Sequence, residues 1–266
     1  IDGQGSDYAT GISSDANPGS TGNAGSVEVA ASGSLSIVNG SRISSDTFSK
    51  GDAGTVKVSA GSIAIDVQES DNATGISSDA ILGSTGNAGS VEVTSTRHLS
   101  IVNAGRISSI TFSKGDAGTV KVSAGSIAID GQGSSFLTGI SSQAAPGSTG
   151  NAGSVDVTVA GDLSLVNRGS IDSITFSSGS AGSVTVHSSS LRLDGRDENG
   201  ASSQISATAT AESSGQTGSV TVTANDITLS NGGQISIENQ ATVAAPSALT
   251  PTSITVTAPR ITLLNS

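Results

Sequence analysis

The sequence predicts an all-β fold, a right-handed parallel β-helix (β-solenoid) with three strands in each rung. Three observations predict it. The first is a repeat. Ala24-Gly25-Ser26-Val27 returns at Ala88, at Ala152 and as Thr217-Gly218-Ser219-Val220. A sister version, Ala53-Gly54-Thr55-Val56, returns at Ala117 and as Ala181-Gly182-Ser183-Val184. Successive starts lie 29, 35, 29, 35, 29 and 36 residues apart, so the full period is 64 residues and holds two similar halves. The second observation is alternation with a period of two inside each half, the signature of strand. The third is composition: aromatics make up 2% of the 266 residues, and Trp, Met and Cys are absent. A spherical core needs large side chains at its centre, whereas Val, Ile, Leu and Ala suit a core one or two side chains across. Disorder is excluded by the ordered recurrence of β-branched residues and a hydrophobic content of 34%.

The rungs follow in order along one β-helix segment, 1–266. A partial rung occupies 1–23, full rungs begin at Ala24, Ala53, Ala88, Ala117, Ala152, Ala181 and Thr217, and a degraded partial rung occupies 251–266. At ~4.8 Å per rung the stack is a rod about 40 Å long. In the first full rung the three strands are Val27-Glu28-Val29, Leu35-Ser36-Ile37 and Ile43-Ser44-Ser45, separated by Gly, Asn and Ser at the turns. Alternation then assigns the faces. Ser14, Ser45, Ser78, Ser109, Ser142 and Ser173 form an internal column continued by Ala207 and Ile237, and their hydroxyls need partners from neighbouring rungs or turn carbonyls. On the first strand the outward residues Glu28, Lys57, Glu92, Lys121 and Asp156, then Thr185 and Thr221, form a ladder of alternating charge. On the second the outward column is Ser36, Ala64, Ser100, Ala128, Ser164, Arg192 and Thr228; on the third it is Ser13, Ser44, Ser77, Ser108, Ser141, Asp172 and Ser206. Propellers, leucine-rich repeats and calcium-binding β-rolls fit less well. Blades carry larger residues, the leucines are too sparse, and GGxGxDxUx does not occur.

Charge and motifs narrow the function. With 22 acids against 11 bases the net charge is −11, and no basic patch exists to displace counterions, so nucleic acid is not an expected partner. No run of 18 apolar residues is present, so membrane insertion is not expected. The chain starts at Ile1 with no signal peptide before it and ends in repeat-like material. The expectation is therefore a piece of a longer or processed polypeptide, with further rungs or another molecule stacked at its ends.

No catalytic constellation, metal centre or cofactor site is expected. His98 and His187 are far apart in sequence, and no GxSxG elbow or HxxxH pair occurs. Asp2, Asp66 and Asp130 recur on alternate rungs, about 10 Å apart, too far for one calcium ion. The irregular charged loop Asp194–Glu198 is a weak candidate for a cation or sugar, read here as a solvated variant of the repeat. Phe48, Phe112 and Phe176, at period 64, are expected to cover a corner of the core. Asn72-Ala73-Thr74 matches a glycosylation sequon and is read as coincidence.

The segments Gly33-Ser34-Leu35-Ser36-Ile37-Val38-Asn39, Thr47-Phe48-Ser49-Lys50-Gly51-Asp52 and Gly54-Thr55-Val56 recur over nearly all of 1–240 and fade after Thr250. This pattern resembles the large filamentous-haemagglutinin-like repeat proteins of bacteria, particularly the cyanobacterial type with paired long rungs. The resemblance implies a β-helix passenger exported by two-partner secretion and displayed at the cell surface or released. It also implies a role in adhesion, aggregation or filament formation. Partners would be like chains, end to end or side by side, or a surface or matrix polysaccharide. A polysaccharide-active or polysaccharide-binding β-helix is the alternative, and would break the repeat at a cleft; an ice-binding surface would need aligned Thr-x-Thr columns. The outward Ser13, Ser44, Ser77, Ser108 and Ser141 are the candidate lateral-contact face, expected to be flat and exposed.

Overall fold

The computed structural model describes residues 1–3, 10–68, 70, 72–132, 134, 136–195, 202–242 and 250–264. Among them there is no helix; every regular element is a strand in one of two parallel sheets. Sheet I has twelve strands and sheet II has eight. The strands of sheet II run Thr10–Ser13, Ser41–Thr47, Gly75–Ala80, Arg106–Thr111, Thr138–Ala144, Gly169–Thr175, Gln204–Ala209 and Gln234–Asn239, each paired only with its copies one turn before and after. The molecule is a β-solenoid of about seven turns.

The first two strands predicted for each rung are fused in the early turns. Val27–Val38, Val56–Asp66, Val91–Val102 and Val120–Asp130 each cross two faces as one continuous strand, with the register slipping at Ala31/Ser34 and its equivalents. The slip bends the strand round a corner without breaking its pairing. From Val155 onward the strand separates into two, Val155–Val159 and Asp162–Val166, and likewise in the later turns.

Pairing follows the repeat. Val27 stands beside Val56, and Val56 beside Val91. Glu28, Lys57, Glu92, Lys121 and Asp156 therefore lie in one column, as the alternation requires. Lys57 and Glu92 approach to 3.8 Å with both side chains about half exposed, so the pair contributes ~0.2–1 kcal/mol and serves register more than stability.

Ile43, Ile76, Ile107, Ile140, Ile171 and Ile205 of sheet II meet the Val, Ile and Leu of sheet I in one continuous core. The serine column sits inside as expected from the second turn on: Ser45, Ser78, Ser109, Ser142 and Ser173 are fully buried, while Ser14 at its start is half-buried. Each hydroxyl bridges two glycines of the repeat. Ser109 Oγ donates to the Gly89 carbonyl at 2.9 Å and accepts from the Gly118 N–H at 2.8 Å; Ser173 does the same between Gly153 and Gly182 at the same distances.

The segments that return from sheet II to sheet I stack even more closely. A Cβ on Gly51 would lie 2.1 Å from the Gly22 carbonyl oxygen, and one on Gly86 2.1 Å from that of Gly51. The same contact continues through Gly115, Gly150, Gly179 and Gly215. Backbone lies on backbone here, so these positions admit no side chain. Beside this column runs a polar ladder. The Asp52 N–H donates to Asn23 Oδ1 (2.9 Å), the Asn87 N–H to Asp52 Oδ1 (2.7 Å), the Asp116 N–H to Asn87 Oδ1 (2.8 Å) and the Asn151 N–H to Asp116 Oδ1 (2.7 Å). Carboxylates alternate with amides, so no two acids are neighbours in it.

Candidate functional site

The outer face of sheet II is a trough. Its floor is built by alternation: with Ile43 inside, Arg42, Ser44 and Asp46 point outward, and register places Gly75, Ser77 and Asp79 beside them on the next turn, then Arg106, Ser108 and Ile110. Its edges come from the segments that enter and leave sheet II. Ala73 and Thr74 stand on one side, Ile81 and Phe112 on the other.

The trough corrects the expectation of a flat exposed serine face. Ser44, Ser77, Ser108 and Ser141 point outward as alternation requires, yet they are buried, and Ser13 alone of the five is exposed. The long Arg42 side chain reaches over Ser77. Lysine at Ser44, Ser77 or Ser108 would strike neighbours rather than decorate a free surface. The flat column of small residues is on sheet I instead, where Ser36 and Ala64 are exposed and Ser100, Ala128 and Ser164 half-buried.

The floor carries charge that alternation by itself did not bring together. Asp15, Asp46 and Asp79 stack on three successive turns, each carboxylate accepting the backbone N–H of the next: Asp46 N–H to Asp15 Oδ1 at 3.1 Å, Asp79 N–H to Asp46 Oδ1 at 3.0 Å, Ile110 N–H to Asp79 Oδ1 at 3.0 Å. Arg42 bridges the last two acids, at 3.4 Å from Asp46 and 3.0 Å from Asp79, and also donates to Ser77 Oγ. Burial, and then the neighbouring Asp79, push the Asp46 carboxyl well above its ordinary range; burial likewise raises Asp79, with Arg42 opposing. Burial also pulls Arg106 down, against the attraction of Asp79.

Two cavities open on this charged stretch and share Arg42. One, of about 210 Å³, is lined by Arg42, Ser77, Asp79, Arg106, Ser108 and Phe112. The other, of about 240 Å³, is lined by Ser13, Asp15, Arg42, Ser44, Asp46 and Phe48. Phe48 and Phe112 are each 37% exposed and lie on the trough wall, not over the core as the sequence suggested. Phe176, at the same repeat position, is half-buried.

Further along the floor is Asp172, between Ser141 and Ser206 in register and fully buried. Neither carboxylate oxygen has a hydrogen-bond partner, and the hydroxyls of Ser141, Ser206 and Ser236 in the same column have none either. Burial pushes the Asp172 carboxyl up to about 7; the nearby Ser170 hydroxyl tempers this but forms no hydrogen bond to it, lying 3.5 Å from the Thr138 carbonyl instead.

The remaining candidates are dispersed. His98 and His187 are both exposed on separate strands of sheet I, His98 Nδ1 lying 2.9 Å from Ser126 Oγ. Asp130 accepts from the Gln132 N–H (3.0 Å) and from Asn167 of the next turn (2.9 Å), a turn contact rather than an ion ligand. In the charged loop, Asp194 accepts from Ser230 (2.8 Å), Asn231 (2.6 Å) and Arg192; residues 196–198 lie outside the described residues. No group of three metal-ligating side chains comes together among the described residues.

Fold and site together define a β-solenoid with one walled polar trough. Comparison of the chain with family models, with curated proteins and with solved structures found no match.

Proposed function

We propose that the chain is a segment of an extracellular rod, a structural or adhesive surface fibre of the filamentous-haemagglutinin type, exported by two-partner secretion. The observation behind this reading is the unbroken stack, which presents the same side-chain columns once per turn. Contacts of that kind are individually weak and gain strength by number, which suits attachment to other regular objects such as like rods or a polysaccharide matrix. The small residues of sheet I, Ser36, Ala64, Ser100, Ala128 and Ser164, let a second surface approach the backbone with few long side chains to be ordered. A polysaccharide-binding role is the second reading, favoured by the two cavities of the trough. No enzymatic role is proposed. The test is electron microscopy of the native material together with an attachment assay. Rods or fibres at the cell surface, and retention of the isolated segment on cells or matrix, support the reading. A dispersed monomer retained by neither removes it.

A further inference from the structure

The geometry points to the trough between Asp15 and Phe112 as a binding site for a neutral, linear, β-linked polysaccharide lying along the rod axis. The inference rests on the adhesive reading and assigns it a contact surface. Shape comes first: the site is a lane, not a bowl, since the two cavities follow one another along the floor of sheet II and share Arg42. An extended polymer fills such a lane where a compact ligand would fill one cavity only.

The lining sets the chemistry. Sugars present hydroxyls at their edges and a C–H face, and they are held by charged or hydroxyl side chains from one side and an aromatic ring from another. Each cavity supplies both. Asp79, Arg106, Ser77 and Ser108 face Phe112 in one; Asp15, Asp46, Ser13 and Ser44 face Phe48 in the other.

Spacing selects an extended glycan. Phe48 is bonded through its N–H to Ala16 and Phe112 to Ala80, equivalent contacts two turns apart. Two turns are about 10 Å, roughly the length of two β-linked pyranose units in an extended chain. The two rings would therefore meet every second sugar on the same face. Charge selects a neutral polymer. The whole chain carries −11, so a polyanionic glycan meets repulsion as it approaches.

The experiment is calorimetric titration of the folded chain with cellohexaose and chitohexaose, with cellotriose as a short probe and polygalacturonate as an anionic one. Phe48→Ala/Phe112→Ala is compared with His98→Ala/His187→Ala, two exposed positions on sheet I, and circular dichroism verifies the β content of each. The rings stand outside the core, so their removal spares the fold. Expected are binding of at least one neutral hexaose, at least tenfold weaker binding of cellotriose, at least tenfold loss in the double phenylalanine variant, and no change in the sheet I variant. Absence of binding to both hexaoses, unchanged binding in the folded phenylalanine variant, or preference for polygalacturonate overturns the site. An attachment assay separates the two readings. If the double variant attaches as well as the parent chain, the trough fails and the adhesive rod stands; if the chain binds a hexaose but attaches to nothing, the reverse holds.

Discussion

Asp172 occupies a place that serine holds on the turns before and after it, and its environment makes the exchange costly. The carboxyl is fully buried without a partner, and its folded value of about 7 lies above the ordinary 3.8. The folded state therefore binds more protons than the unfolded chain between about pH 4 and pH 7, and stability falls as pH rises through that window. Asp172→Ser restores the column. It is expected to leave stability nearly unchanged at pH 4 and to raise it at pH 8, by at most ~4 kcal/mol. Urea denaturation at the two pH values reads this directly, and equal effects at both would contradict it. Ser109 presents the opposite case, a buried polar group with both partners in place. Ser109→Ala strands the Gly118 N–H inside the rod and is expected to cost ~1–3 kcal/mol in the same assay. The internal serines were legible from alternation because period two decides inside from outside. The kind of partner, a carbonyl of a neighbouring rung or turn, was legible too; which glycines supply it was not, since they arrive from another part of the turn.

In the returning segments, amide and carboxylate take turns along the ladder from Asn23 to Asn151. Asn87→Asp would place three acids on successive turns and remove the Asn87 side-chain N–H that reaches Asp52 at 3.1 Å. The ladder is exposed, so the expected cost in urea denaturation is ~0.2–1 kcal/mol at low salt, shrinking as salt is added. A loss independent of salt would assign the effect to packing. Gly75 makes a different demand on its strand. Its φ is +148°, and a Cβ there would sit 1.9 Å from the Arg106 carbonyl oxygen. Gly75→Ala is expected to lower the thermal midpoint far more than Gly33→Ala, whose position is open. Equal shifts would remove the close-approach explanation. At this scale the sequence made the strands and their register legible, because identical motifs pair with their own copies. It did not reveal the fusion of two strands into one, which depends on how the chain turns the corner at Ala31/Ser34. Nor did it reveal the trough. Ser44 and Ser77 point where alternation sent them, but the walls are the segments that enter and leave sheet II, and periodicity within a strand does not say how those segments fold back. Phe48 and Phe112 were visible as a repeated pair and assigned to the wrong surface for the same reason.

For the rod as a whole, the proposed side-by-side contact falls on sheet I. Lysine at Ser36, Ser100 and Ser164 is expected to leave the fold intact and abolish bundling in sedimentation and electron microscopy. Lysine at Ser44, Ser77 and Ser108 is instead expected to destabilise the rod, because those positions are buried. Bundling unchanged in the first triple variant would rule out that face. The alternation of Asn with Asp and of Glu with Lys also has a hereditary side. A deletion of one half-repeat would set like charge against like along the new seam, acid on acid or lysine on lysine, whereas a deletion or insertion of 64 residues joins surfaces that already match. Near-identical copies such as 33–66 and 97–130 align with each other at that same interval, so unequal exchange between them adds or removes material in the one increment the stack can absorb. The rod counts in pairs, and its length can drift over generations without any new contact having to be invented.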